Sequence, residues 1–154
     1  MNILGIRVEP KITTFVVIES NNEKFTVINS EVIKVPAALD FPEKLKYIRN
    51  CVLDILREYA VNIAGIRVAE GNTQNLDVTR LHIEGVIQEA FSSSDVGSYF
   101  TGRKSSIASR LGININELDE VLKGKVNYST ICNWEILKSQ SSKEAALVAM
   151  GAMA

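Results

Sequence analysis

Seven residues near the start of the chain, N-I-L-G-I-R-V (2–8), return almost unchanged as N-I-A-G-I-R-V (62–68). Each copy is a short apolar run rich in Ile, Leu and Val, the pattern of a buried β-strand. Each run also carries an arginine at its far end, Arg7 and Arg67. A guanidinium at the end of a buried strand needs a counter-charge or a ligand. The repeat therefore predicts two neighbouring strands whose arginines share one site.

The residues between and after the two copies define the rest of the fold. Residues 12–19, I-T-T-F-V-V-I-E, are β-branched and aromatic, and S-N-N-E is a hairpin signal leading to a strand over 24–35. Three successive strands with tight turns make an antiparallel meander. The period then changes. Asp40 can cap a helix that begins near Pro42, carries Leu45, Ile48, Val52, Ile55 and Leu56 at helical spacing, and ends near Ala60. A buried strand over 61–69 is broken at Gly71-Asn72. A helix over 75–90, a strand over 96–100 and a helix over 104–111 follow. N-I-N-E reads as a capping box for a helix from Asn116, and residues 130–153 close the chain in a small-residue helix, with Trp134 as a core anchor. The order β-β-β-α-β-α-β-α, with a helical insertion before the last helix, predicts an α/β fold. Its mixed five-stranded sheet has strands one to three antiparallel and strands four and five parallel to strand one, flanked by helices. The ends of strands one and four then open onto one crevice, where α/β sheets place their sites.

Composition narrows the function classes. The length of 154 residues suits one domain over 1–154. No run of 18 apolar residues predicts a membrane span, and no basic segment with a signal core follows Met1, so a cytoplasmic location is expected. The net charge of −1 gives no whole-molecule field for nucleic acid, so any such binding needs a local patch. Cys51 and Cys132 lack the spacing of a metal site. Any Ser–His or Cys–His catalysis would have to use His82, the single histidine, which reads instead as a surface or boundary residue of a helix.

Four stretches resemble the ribonuclease-H-like superfamily, and within it the RuvC-type Holliday-junction resolvases. N-I-L-G-I-R-V-E-P resembles their first strand, which reads I-L-G-I-D-P-G. P-E-K-L-K-Y-I-R-N-C-V-L-D-I-L-R-E-Y resembles their first long helix. I-A-G-I-R-V resembles the fourth strand, which ends in a catalytic glutamate, and S-S-K-E-A-A-L-V-A-M-G resembles the closing helix, D-A-A-D-A-L-A-I-A. A small group of bacterial proteins of the same superfamily looks closer still in length and in a truncated fourth-strand loop.

The resemblance implies a site where carboxylates hold two divalent cations about 4 Å apart. In this chain Arg7 and Arg67 stand at the first-strand aspartate and fourth-strand glutamate positions. Glu144 matches one acid of the last helix, and Ser141 falls where the other would be. Mg²⁺ takes hard oxygen ligands, not guanidinium. The expectation is therefore a degenerate site without metal or cofactor, in a non-catalytic module that binds nucleic acid or a protein partner. Arg7, Arg67, Ser141 and Glu144 mark the former active site, where the arginines either hold a phosphate or carboxylate or form a structural Arg–Glu–Arg cluster, with Glu144 as the internal anion and Glu9 and Glu70 as alternatives. T-G-R-K-S-S adds Arg103 and Lys104 at a helix start as nucleic-acid contacts. One alternative is a Mg²⁺- or Mn²⁺-dependent nuclease using displaced carboxylates, Glu9, Glu70, Asp77 and Glu144. In a regular strand Glu9 shares the face of Arg7 while Glu70 faces away from Arg67. A second alternative is a structural homo-oligomer, assembled through the other face of a last helix that is apolar nearly all round.

Overall fold

The computed structural model describes residues 1–71 and 74–154. Asn72, half of the predicted strand break, lies outside them. Strands β1 (Asn2–Val8), β2 (Thr13–Asn21) and β3 (Lys24–Ile33) form the meander, followed by α1 (Phe41–Glu58) and β4 (Val61–Arg67). Next come α2 (Val78–Ser92), β5 (Ser98–Gly102), α3 (Lys104–Leu111), α4 (Ile115–Leu122) and α5 (Gln140–Met153). The sheet runs β3-β2-β1-β4-β5. The β1–β2 and β2–β3 pairs are antiparallel, while β1–β4 and β4–β5 are parallel. This is the predicted mixed sheet.

The repeat explains the centre of the sheet. Gly5 pairs with Gly65, Ile6 with Ile66 and Arg7 with Arg67. Side chains alternate faces along a strand, so the repeat divides by parity. Leu4, Ile6, Val8, Ala64, Ile66 and Val68 enter the core under α1 and α2. Ile3 and Ile63 enter the core under α3, α4 and α5. The two glycines lie on that second face, directly beneath α5. A Cβ on Gly65 would stand 2.6 Å from the Val148 carbonyl oxygen, and one on Gly5 would overlap the Ala145 carbonyl oxygen. The small residues of α5 and the glycine pair thus let helix and sheet backbones approach closely. Two residues further on the same face come the arginines, under the first turns of α5.

Local chemistry sets the helix ends. Asp40 and Glu43 form a reciprocal capping box on α1. Asn114 accepts from the Glu117 amide at 2.8 Å and caps α4. Several predicted boundaries move. Helix α2 begins at Val78, because Asp77 accepts from the Arg80 amide at 2.9 Å and acts as its N-cap. Strand β5 lies at 98–102, two residues later than its pattern suggested. The closing segment is not one helix from 130. It makes a short 3-10 turn over Trp134–Ile136 and restarts at Gln140, where Ser139 caps α5.

Helix α5 is buried by its own fold: Glu144 through Gly151 are all buried. Its second apolar face is covered by α3, α4 and the turn around Trp134, so the expected free face for a second copy is absent from this helix. Trp134 is buried beside Tyr128, with ring centroids 5.9 Å apart. His82 is exposed on α2 and leans on Phe41, centroids 5.5 Å apart. No described helix is long and apolar enough to cross a membrane.

Candidate functional site

The register pairing of Arg7 and Arg67 brings two guanidiniums together at the C-terminal ends of β1 and β4. Both are largely out of solvent, with side chains 16% and 5% exposed. Two like charges at this depth repel strongly unless a counter-charge joins them. Glu144, one turn into α5 and itself buried, supplies it. Its Oε2 contacts the Arg7 Nε directly and lies 3.7 Å from the Arg67 Nε. Each arginine also donates Nη1 to the carbonyl of the next residue, Val8 or Val68. The repeated Arg-Val pair thus folds each guanidinium back over its own strand end.

Glu70 completes the charge balance. Its Oε1 lies 3.2 Å from the Arg67 Nη2 and accepts from the Lys104 amide at 3.1 Å. The strand-parity expectation, which turned Glu70 away from Arg67, does not hold because β4 ends at Arg67, so strand alternation does not extend to Glu70. Burial holds the Arg67 guanidinium below its ordinary range. Glu144 and Glu70 pull it back up, and Arg7 and Arg80 push it further down.

The other candidates separate. Glu9 follows the end of β1 and accepts from the Ser141 hydroxyl, which joins the β1 exit to the first turn of α5. Asp77 is spent on the α2 cap. Arg103 donates Nε to the Ala69 carbonyl at 2.9 Å, and Lys104 places Nζ 2.9 Å from Asp119 of α4.

One pair escaped the sequence reading. Glu84 of α2 is buried, accepts from the Ala69 amide at 3.0 Å and receives the Arg80 Nε at 2.8 Å. Arg80 and Glu84 stand four apart, the spacing of a helical ion pair, and that was the available signal. Three guanidiniums (Arg7, Arg67, Arg80) and three carboxylates (Glu70, Glu84, Glu144) therefore interleave around the strand ends.

This donor set suits a cation poorly. Among the described residues no three or more His, Cys, Asp or Glu side chains come together as metal ligands do. Glu144 would offer Mg²⁺ a single carboxylate already engaged by two guanidiniums, against an octahedron of oxygen ligands.

The sheet order β3-β2-β1-β4-β5, its strand directions and the flanking helices are those of a ribonuclease-H-like fold. The chain is similar to the Thermus thermophilus RuvC structure, with a TM-score of 0.74 and 15% identity over 98% of this chain and 92% of that one. The same protein in complex with a Holliday junction substrate gives a TM-score of 0.71 at 16% identity over the same shares. The yeast mitochondrial Holliday junction resolvase gives 0.63 at 16% identity, over 97% of this chain and 78% of that one. No protein-family model and no curated protein matches the chain. At these identities the likeness is one of fold.

Proposed function

We propose that this chain is a non-catalytic, RuvC-like module that binds nucleic acid, its metal site replaced by a salt-bridged arginine pair. One observation carries the reading: Arg7 and Arg67 are register partners at the strand ends and share Glu144. Two fixed guanidiniums, balanced within the chain by Glu144 and Glu70, stand at the place where the resembled resolvases use divalent cations. The fold likeness to proteins whose structures include a Holliday junction complex supports nucleic acid as the partner class. Arg103, exposed at the start of α3, supplies a local basic contact despite the net charge of −1.

A displaced-carboxylate nuclease is the weaker reading, because its four acids are already committed. Glu9 is held by Ser141, Glu70 by Arg67 and the Lys104 amide, Asp77 by the α2 cap and Glu144 by the arginines.

Calorimetric titration with Mg²⁺ and Mn²⁺ tests the proposal, on the wild type and on Arg7→Asp/Arg67→Glu. No binding by the wild type, with millimolar or tighter binding by the double variant, is the expected result. Metal binding by the wild type, with cleavage of a labelled junction, overturns it. DNA binding by fluorescence anisotropy should weaken steeply with salt, since phosphate contacts release counterions.

A further inference from the structure

We infer that Glu70 is a resident carboxylate occupying a seat for a nucleic-acid phosphate, which the protein's own chain holds closed until the polymer displaces it. The inference rests on the reading above for the source of the phosphate; the seat itself rests on geometry.

The Glu70 Oε1 is held by two donors from different elements, the Arg67 Nη2 at 3.2 Å and the Lys104 amide at 3.1 Å. Neither donor is free to follow the carboxylate if it leaves. Arg67 is 95% buried by its side chain, tied through Nη1 to the Val68 carbonyl and facing Glu144 through Nε. The Lys104 amide belongs to the first turn of α3, with the dipole of that turn behind it. Glu70, by contrast, has a side chain 36% exposed and lies beyond the end of β4. The occupant is therefore the exposed partner and the seat the buried one.

Charge shows what the seat selects. Arg7 and Arg67 carry two positive charges and Glu144 one negative, so the cluster is neutral only with Glu70 in place. Arg103 runs alongside: its Nε bonds the Ala69 carbonyl, and its Nη2 lies 3.9 Å from where a Cβ on Gly71 would stand. Among the described residues Arg103 forms no ion pair with a carboxylate. A phosphodiester carries one negative charge, like the carboxylate it replaces, and its oxygens suit guanidinium and helix-terminal amide donors equally well. The exchange conserves charge at the seat and leaves Arg103, the residue before the Lys104 amide, as a neighbouring cation for the polymer. It releases Glu70 to water, so an isolated phosphate gains little. A polymer gains more, because its other contacts release counterions. Glu70 thereby raises the threshold for binding without blocking it.

The test uses the intact chain and Glu70→Gln, with inorganic phosphate and a fluorescein-labelled four-way DNA junction as probes. Circular dichroism checks the fold of the variant. Glu70→Gln is expected to bind DNA about tenfold tighter at low salt, the order of one charge-assisted bond gained. Its log–log salt slope should steepen by about one phosphate contact. Phosphate should shift the Lys104 amide resonance in the variant and much less in the wild type. Adding Arg103→Ala to Glu70→Gln should remove most of the gain. Equal DNA affinity and slope in both proteins, with no phosphate-dependent shift at Lys104, would show Glu70 to be only a tie between β4 and α3. That result overturns the seat and leaves nucleic-acid binding standing. A phosphate shift at Lys104 in a variant that binds no DNA keeps the seat and overturns the nucleic-acid source.

Discussion

Glu144 is the residue on which the site turns. It is the carboxylate that two buried guanidiniums share, so Glu144→Gln leaves both without their common counter-charge. The expected loss is about 3–5 kcal/mol by urea denaturation, the range for breaking a buried pair from one side. Glu70→Gln, at a side chain a third exposed, should cost less than about 1 kcal/mol. If the two variants were equally destabilised, Glu144 would not be the keystone that the geometry makes it. The cysteines make a separate residue-scale case. Burial pushes the Cys51 thiol above its usual range, partly opposed by a hydrogen bond from Tyr47, while Cys132 is exposed. Alkylation at pH 8 followed by mass spectrometry should modify Cys132 first. Residue by residue, the sequence was legible where identity alone fixed a role. Arg7 and Arg67 are such a case, since equal positions in near-identical strands become register partners. Glu70 was legible only as one of several acids able to answer the arginines, and Glu84 only as half of an i,i+4 pair. The first depended on where β4 stops, and the second sat as one acid among the apolar residues of α2.

At the scale of elements, the strands of the repeat and helix α5 were made for each other. Gly5→Ala and Gly65→Ala each put a methyl into the backbone of α5, and the Gly5 overlap is the more severe. Both should destabilise by about 2–3 kcal/mol or more, with Gly5→Ala the worse, because the helix has to lift off the sheet. Gly85 in α2 is the contrast. Nothing lies within 4 Å of a Cβ built there, so Gly85→Ala should stabilise by about 0.5–1 kcal/mol through helix propensity. Thermal melts of the three variants check the ordering. The meander, α1 and β4 were readable because period and caps agreed, as in Asp40-Phe-Pro-Glu43. The region from 130 to 139 does not form the expected helix. Its apolar residues anchor a turn: Asn133 bonds the Val27 amide and carbonyl, and the Cys132 amide donates to Phe25. A long-range pairing of that kind leaves no periodic trace.

For the whole molecule, one sheet carries a core on each face, and the buried Arg–Glu cluster bridges β1, β4 and α5. Neither core can persist without the sheet between them. We therefore expect a single domain that unfolds in one step, with far-ultraviolet dichroism and Trp134 fluorescence tracing coincident urea transitions. Separate transitions would mean two units. By itself the sequence determined the strands, most of the helices, their order, and an arginine at the end of each repeated strand. Those properties follow from local periodicity and from side-chain identity, which each residue carries with it. Only the tertiary structure decided which carboxylate answers which guanidinium. Glu144 reaches the pair because glycines let α5 lie close against the sheet, and Glu70 reaches Arg67 because the strand ends there. Ion-pair choice depends on distances of a few ångströms between segments remote in sequence, and packing alone sets those distances.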